Sequence, residues 1–211
     1  VSTPPATETF TDPYPAAHHG IRFYYTVRCM DPLQTQYVSS YSKPGISAVW
    51  YAPPVMIEDP ARSVAGGIKV VWQESEGAPL YAVYRRTNPA AVWEFLAVSE
   101  AQDGGIYYDV SLVNGQETLS VNADYYYAVA VVEQVAATGD PALDYEVCSD
   151  LAVTANPAKY YPVPKLVSLE STADGLKITW ELVGDAITDA DYRVYRKDIE
   201  AADFKEVYAG G

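Results

Sequence analysis

Residues 67–72 read GIKVVW and residues 175–180 read GLKITW, and this repetition decides the fold. In each copy apolar residues alternate with others at a period of two. Ile68, Val70 and Trp72 face one way, as do Leu176, Ile178 and Trp180, and Lys177 and Thr179 face the other. Gly66-Gly67 and Asp174-Gly175 supply a turn before each strand. Downstream, YAVYRR at 81–86 returns as YRVYRK at 192–197, and WEFLA at 93–97 as FKEVYA at 204–209. A second correspondence links the middle of the chain to its first part. YYDV at 107–110 with YYYAVAV at 125–131 matches FTDP at 10–13 with FYYTVRC at 23–29. Residues 53–160 therefore read as a complete unit, residues 1–52 as the second half of such a unit, and residues 163–211 as its first half.

No stretch sustains a 3.6-residue period, and short alternating runs separated by Gly, Pro and Asp loops predict an all-β sandwich. The 211 residues carry 14 basic and 28 acidic side chains, a net charge of −14. Such a chain is repelled by phosphate backbones and anionic membrane surfaces, so neither nucleic acid nor membrane insertion is expected. No apolar run approaches the roughly 20 residues that span a bilayer. The opening VSTPPATETF lacks the basic and apolar regions of a secretory leader. Cys29 and Cys148 stand at non-equivalent places in the repeat, so two isolated thiols are expected, at least one of them buried.

Taken in order, GIKVVW, YAVYRR, WEFLA, YYDV and YYYAVAVV resemble a fibronectin type III domain. FYYTVRC, YVSSYS and GISAVWYAPP resemble the end of another, in a style similar to repeats of Gram-positive bacterial surface proteins. The resemblance implies a fibronectin type III-like β-sandwich: one complete unit flanked by two complementary half units. It places Trp72 and Trp180 as core residues of the second strand, and Tyr81, Val83, Tyr192 and Val194 on the third. It places Tyr127 and Val129, with Tyr25 and Val27, on the inward row of the sixth. Cys29 stands where the middle unit has Val131, and reads as a packing residue. An extracellular, bacterial cell-surface or secreted location is what the resemblance implies.

A half unit leaves ladder edges and a tryptophan face open. Sandwich domains place their termini at opposite poles about 35 Å apart, and the connectors VWYAPPV and NPAKYYPVP are short and stiffened by proline. Closure within one molecule is therefore not expected. Two arrangements stay open: the chain is a piece of a longer tandem array with neighbouring domains, or the tail half of one molecule completes the head half of the next. The second is a heterologous, head-to-tail self-association. Trp50-Tyr51 and Tyr160-Tyr161, each beside proline, are expected to stiffen the joints.

Chemistry is sparse. His18-His19 has no third ligand nearby in sequence. Asp185, Asp189 and Asp191 lack the glycine and closing glutamate of a calcium loop. Glu74 and Glu76 read as loop surface. No phosphate loop, serine elbow or zinc-protease motif occurs. The reading is a non-catalytic spacer or adhesion repeat without cofactor or metal. The alternative is a carbohydrate- or protein-binding accessory module of a larger secreted enzyme, with Trp93 and Tyr125 as the candidate binding surface.

Overall fold

The structure is a computed structural model that describes residues 9–13, 18–30, 33–34, 38–43, 45–100, 104–181 and 192–210. It is all-β: antiparallel strands and one four-residue helix among the described residues. The chain forms two compact units. One holds Val1–Ala61, Val70–Tyr107 and Tyr125–Pro157, and the other Arg62–Lys69, Tyr108–Asp124 and Ala158–Gly211.

In the first part of the chain β1 (Arg22–Tyr25) pairs with β2 (Ile46–Val49), Arg22 opposite Val49 and Tyr25 opposite Ile46. Beyond β1 the backbone stays laddered with help from serine side chains. Val27 donates its N–H to Ser42 Oγ at 3.0 Å while its carbonyl accepts from the Ser42 N–H at 2.7 Å. Cys29 and Ser39 repeat the arrangement at 2.8 and 2.9 Å. In each pair the serine hydroxyl thus stands in for that residue's own carbonyl and accepts the N–H that a regular ladder would satisfy.

The next stretch comprises β3 (Val55–Met56), β4 (Arg62–Val64), β5 (Gly67–Gln73), β6 (Leu80–Arg86), β7 (Glu94–Glu100) and β8 (Ile106–Val110). Strand β5 pairs with β4 over Gly67, Ile68 and Lys69, and with β3 at Trp72 and Gln73. The pairing along this edge of β5 is thus interrupted between β3 and β4. Within that interruption the Asp59 carboxylate accepts the N–H groups of Ala155 and Asn156, both at 2.9 Å. Strand β8 runs along the other edge of β5, where Trp72 N–H donates to Gly105 O and Ser111 N–H to Gly66 O.

After β9 (Leu112–Val113) and β10 (Gln116–Glu117) comes β11 (Asp124–Gln134), then α1 (Pro141–Asp144), β12 (Tyr145–Val147), β13 (Ala152–Val153) and β14 (Ala158–Lys159). The sheet order β12–β11–β6–β7 puts β6 between β11 and β7, and β13 also pairs with β11. Tyr81 lies opposite Val131, Val83 opposite Val129 and Arg85 opposite Tyr127. Trp72 (1% exposed), Tyr81, Val83, Tyr127 and Val129 are buried. So are Ala128, Ala130 and Val132 on the opposite face of β11; YYYAVAVV is apolar on both faces, the pattern of a strand covered on both sides. The β11–α1 connection is tied by the Asp144 carboxylate, which accepts from the N–H groups of Thr138 and Gly139 and the Thr138 hydroxyl. Those bonds hold the Asp144 carboxyl below its ordinary range.

The last stretch contains β15 (Lys165–Thr172), β16 (Gly175–Glu181), β17 (Tyr192–Arg196) and β18 (Lys205–Gly210). Strand β15 pairs with β16, Leu166 opposite Trp180 and Thr172 opposite Gly175. Strand β17 pairs with β18, Tyr192 opposite Gly210 and Val194 opposite Tyr208. In this stretch β15 is continuous where the middle of the chain has β3 and β4.

Candidate functional site: two copies of one hairpin, one covered and one open

The hairpin β6–β7 carries a bulge between Val83 and Tyr84, and β17–β18 carries one between Val194 and Tyr195. Tyr81 opposite Ser99 becomes Tyr192 opposite Gly210, and Tyr84 opposite Phe95 becomes Tyr195 opposite Glu206. Each pair of the second hairpin is a pair of the first moved by one constant offset, bulge included. The ring packing repeats as well. Trp72 meets Tyr81 at a centroid distance of 5.5 Å, and Trp180 meets Tyr192 at 5.9 Å. Both indole N–H groups are buried without a hydrogen-bond partner among the described residues.

What differs is the cover. In the sheet order β6 has β11 on the edge away from β7, whereas β17 and β18 form a two-stranded sheet. Likewise β5 has β8 beside it, whereas β15 and β16 form a two-stranded sheet. A Cβ at Gly67 would collide with the Asp109 carbonyl, because that strand lies against it; at the equivalent Gly175 there is nothing within 4 Å. The Trp180 and Val194 side chains are accordingly half-buried, Leu166 is 72% exposed and Leu169 66%. Leu166, Ile178, Trp180, Tyr192 and Val194 line an open cleft of about 180 Å³ whose wall is mostly apolar.

The first part of the chain presents a matching open face. Strands β1 and β2 form a two-stranded sheet. Tyr25 is half-buried, its hydroxyl 3.0 Å from Asp12 Oδ2. Val27, expected on the inward row, is 73% exposed, and Cys29, expected as packing, is exposed. The physical reason is common to both: among the described residues β1 and β2 pair with no other strand and the apolar row stays open, while the same row in β11 is buried.

The joint following β2 is built within the first unit. Arg22 pairs with Glu133, and with Glu146 at 3.5 Å; the Tyr51 hydroxyl reaches Glu133 at 3.3 Å. Tyr51 N–H donates to Cys148 O at 2.8 Å. His19 Nε2 accepts from Ala52 N–H at 2.6 Å, and its ring stands edge-on to Trp50 and Tyr51. His19 thus serves the joint and spends a ring nitrogen on backbone, while His18 stands edge-on to Phe23. Burial raises both the Tyr51 hydroxyl and the Cys148 thiol, the latter to about 11. In the second unit Tyr161 exchanges bonds with Ser63 and Asn122, and Asn122 N–H donates to Tyr160 O.

The candidate ligand platform fares differently. Tyr125 is 4% exposed and lies 5.4 Å below the Arg85 guanidinium, so its ring offers no face to a ligand. Trp93 is half-buried with Arg86 stacked at 4.1 Å, a cation–π contact that occupies the ring. Glu74 accepts the Gly105 N–H at 3.0 Å. A cleft of about 390 Å³ between His19, Ala52 and Gln73–Glu76 is lined by no Trp, Tyr or Phe among the described residues. Among the described residues no group of three or more His, Cys, Asp or Glu side chains could hold a metal. Asp185, Asp189 and Asp191 lie outside the described residues. No described helix is long and apolar enough to cross a membrane.

No protein-family model and no curated protein matches the chain. Among solved structures the crystal structure of β-1,2-glucanase from Parabacteroides distasonis is similar at 24% identity and a TM-score of 0.34. The likeness covers 54% of this chain and 13% of that one.

Proposed function

We propose that the chain is a non-catalytic structural segment of fibronectin type III-like repeats, a spacer or adhesion module of a bacterial surface or secreted protein. In this reading residues 53–160 form one sandwich, and residues 1–52 and 163–211 are half-sandwiches that work only when completed. The observation that carries it is the recurrence of the β6–β7 hairpin, bulge and tryptophan–tyrosine packing included, in β17–β18 without the strand that covers the first copy. A mechanical role fits the chemistry: the polar groups near the cleft are engaged in backbone bonds and joints. It also fits the anchoring of Tyr51 and of Tyr161, each within its own unit, beside proline-containing connectors.

The experiment is a glycan array probed with the full chain. No bound sugar is expected. A specific sugar bound by the full chain would instead favour the accessory-module reading and overturn the spacer.

A further inference from the structure

We infer that the occupant of the open β16–β17 face is the head segment of a second copy of this chain, docked so that its Val27 lies opposite Val194. This rests on the half-sandwich reading above and gives it a partner and a register. In the covered hairpin Val83 is opposite Val129 and Tyr81 opposite Val131. Transferred by the repeat, those pairs become Val194 with Val27 and Tyr192 with Cys29. The open edges fit: β17 has β18 on one side, β1 has β2 on one side, and joining them gives the order β2–β1–β17–β18, the analogue of β13–β11–β6–β7.

Three further observations favour a second copy as the occupant. The head's apolar row is itself exposed, with Val27 at 73% and Cys29 exposed beside it, so both faces are relieved by the same contact. Space is left at Gly175 for a strand like the one that abuts Gly67. FTDP at 10–13, the match of YYDV, is the segment that would lie there. Charge does not oppose the approach: of a net −14, none falls in residues 1–52. There Arg22, Arg28 and Lys43 balance Glu8, Asp12 and Asp31. Because head and tail differ, the contact is heterologous and propagates from copy to copy unless it closes into a ring.

The test is a register-specific cross-link between two full-length chains, each with Cys29→Ser and Cys148→Ala. One adds Val27→Cys and the other Val194→Cys. Directly opposed strand residues have Cβ atoms about 4.5–5.5 Å apart, close to what a disulfide spans. Mixing under mild oxidation is expected to give a covalent dimer in several-fold excess over a control pairing Val27→Cys with Arg193→Cys, whose side chain points to the other face. Sedimentation of the unmodified chain is expected to show mass rising with concentration, and Val194→Asp is expected to suppress the rise while leaving the far-ultraviolet spectrum unchanged. A cross-link formed within one chain carrying both cysteines, at high dilution, would overturn the inference and leave the half-sandwich reading intact. No cross-link above control in either format would overturn both.

Discussion

Val83 and Val194 occupy the same place in two copies of one hairpin, and trimming each to alanine separates local structure from cover. Val83 is fully buried between Ala97 and Val129 in the ladder. Val83→Ala removes two methyl groups, about 1.6 kcal/mol at roughly 0.8 kcal/mol per buried carbon. The space left behind adds about 1 kcal/mol at roughly 24 cal/mol per Å³ if the site relaxes little. The expected cost is about 2.5 kcal/mol. With a urea slope of about 1–3 kcal/mol per molar, the midpoint falls by about 1 M or more. Val194 is half-buried, and among the described residues β17 pairs only with β18, so Val194→Ala in dilute solution is expected to cost less than about 1 kcal/mol. Urea unfolding at submicromolar concentration, followed by tryptophan emission and far-ultraviolet circular dichroism, reads both. Equal losses for the two variants in dilute solution would refute the claim that the second copy lacks its cover.

Thiol reagents at pH 8 are expected to modify Cys29 at once and Cys148 only on unfolding, because Cys29 is exposed and the buried Cys148 thiol titrates near 11; two fast thiols per native chain would contradict this. The raised thiol also has a stability consequence. The unfolded thiol ionises near 9 and the folded one near 11, so its contribution is present below pH 9 and is lost as pH rises towards 11. Cys148→Ala should therefore flatten the alkaline fall in urea midpoint, and an unchanged slope would remove Cys148 as a cause. Thr154→Val, which takes the hydroxyl accepting the buried Tyr127 N–H, is expected to cost about 1–3 kcal/mol, whereas Ser39→Ala, at an exposed site, should cost under about 0.5 kcal/mol. Glu133→Leu removes the partner of Arg22 and Tyr51, and should speed amide exchange in β1 while leaving β6 protected.

The strands were legible where a period of two was strong. GIKVVW, GLKITW, YAVYRR and YYYAVAVV each lie on a strand, because alternating apolar residues bounded by turn glycines leave few other ways to bury a face. Less legible were the features that depend on a neighbour. The break between β3 and β4 is held by Asp59 against Ala155 and Asn156, about a hundred residues away, and only EDPA hints at it. The bulges after Val83 and Val194 have no residue signature of their own. The serine brackets at Val27 and Cys29 could have been sought in SSYS, and their kin is Thr154 bracketing Tyr127. Tyr125 misleads because a tyrosine at a strand start reads the same whether its ring is covered by Arg85 or bare. Exposure of Val27 follows from the absence of a facing sheet, which composition does not record.

Amide hydrogen exchange at Ile178 and Arg193, whose repeat equivalents Val70 and Ala82 turn towards β8 and β11, is the most direct measurement, across a concentration series, of whether β16 and β17 await a covering strand. Protection that is slight in dilute solution and grows with concentration, in step with Thr26 and Arg28, is the expected result. Strong protection at both amides, independent of concentration, would contradict the account.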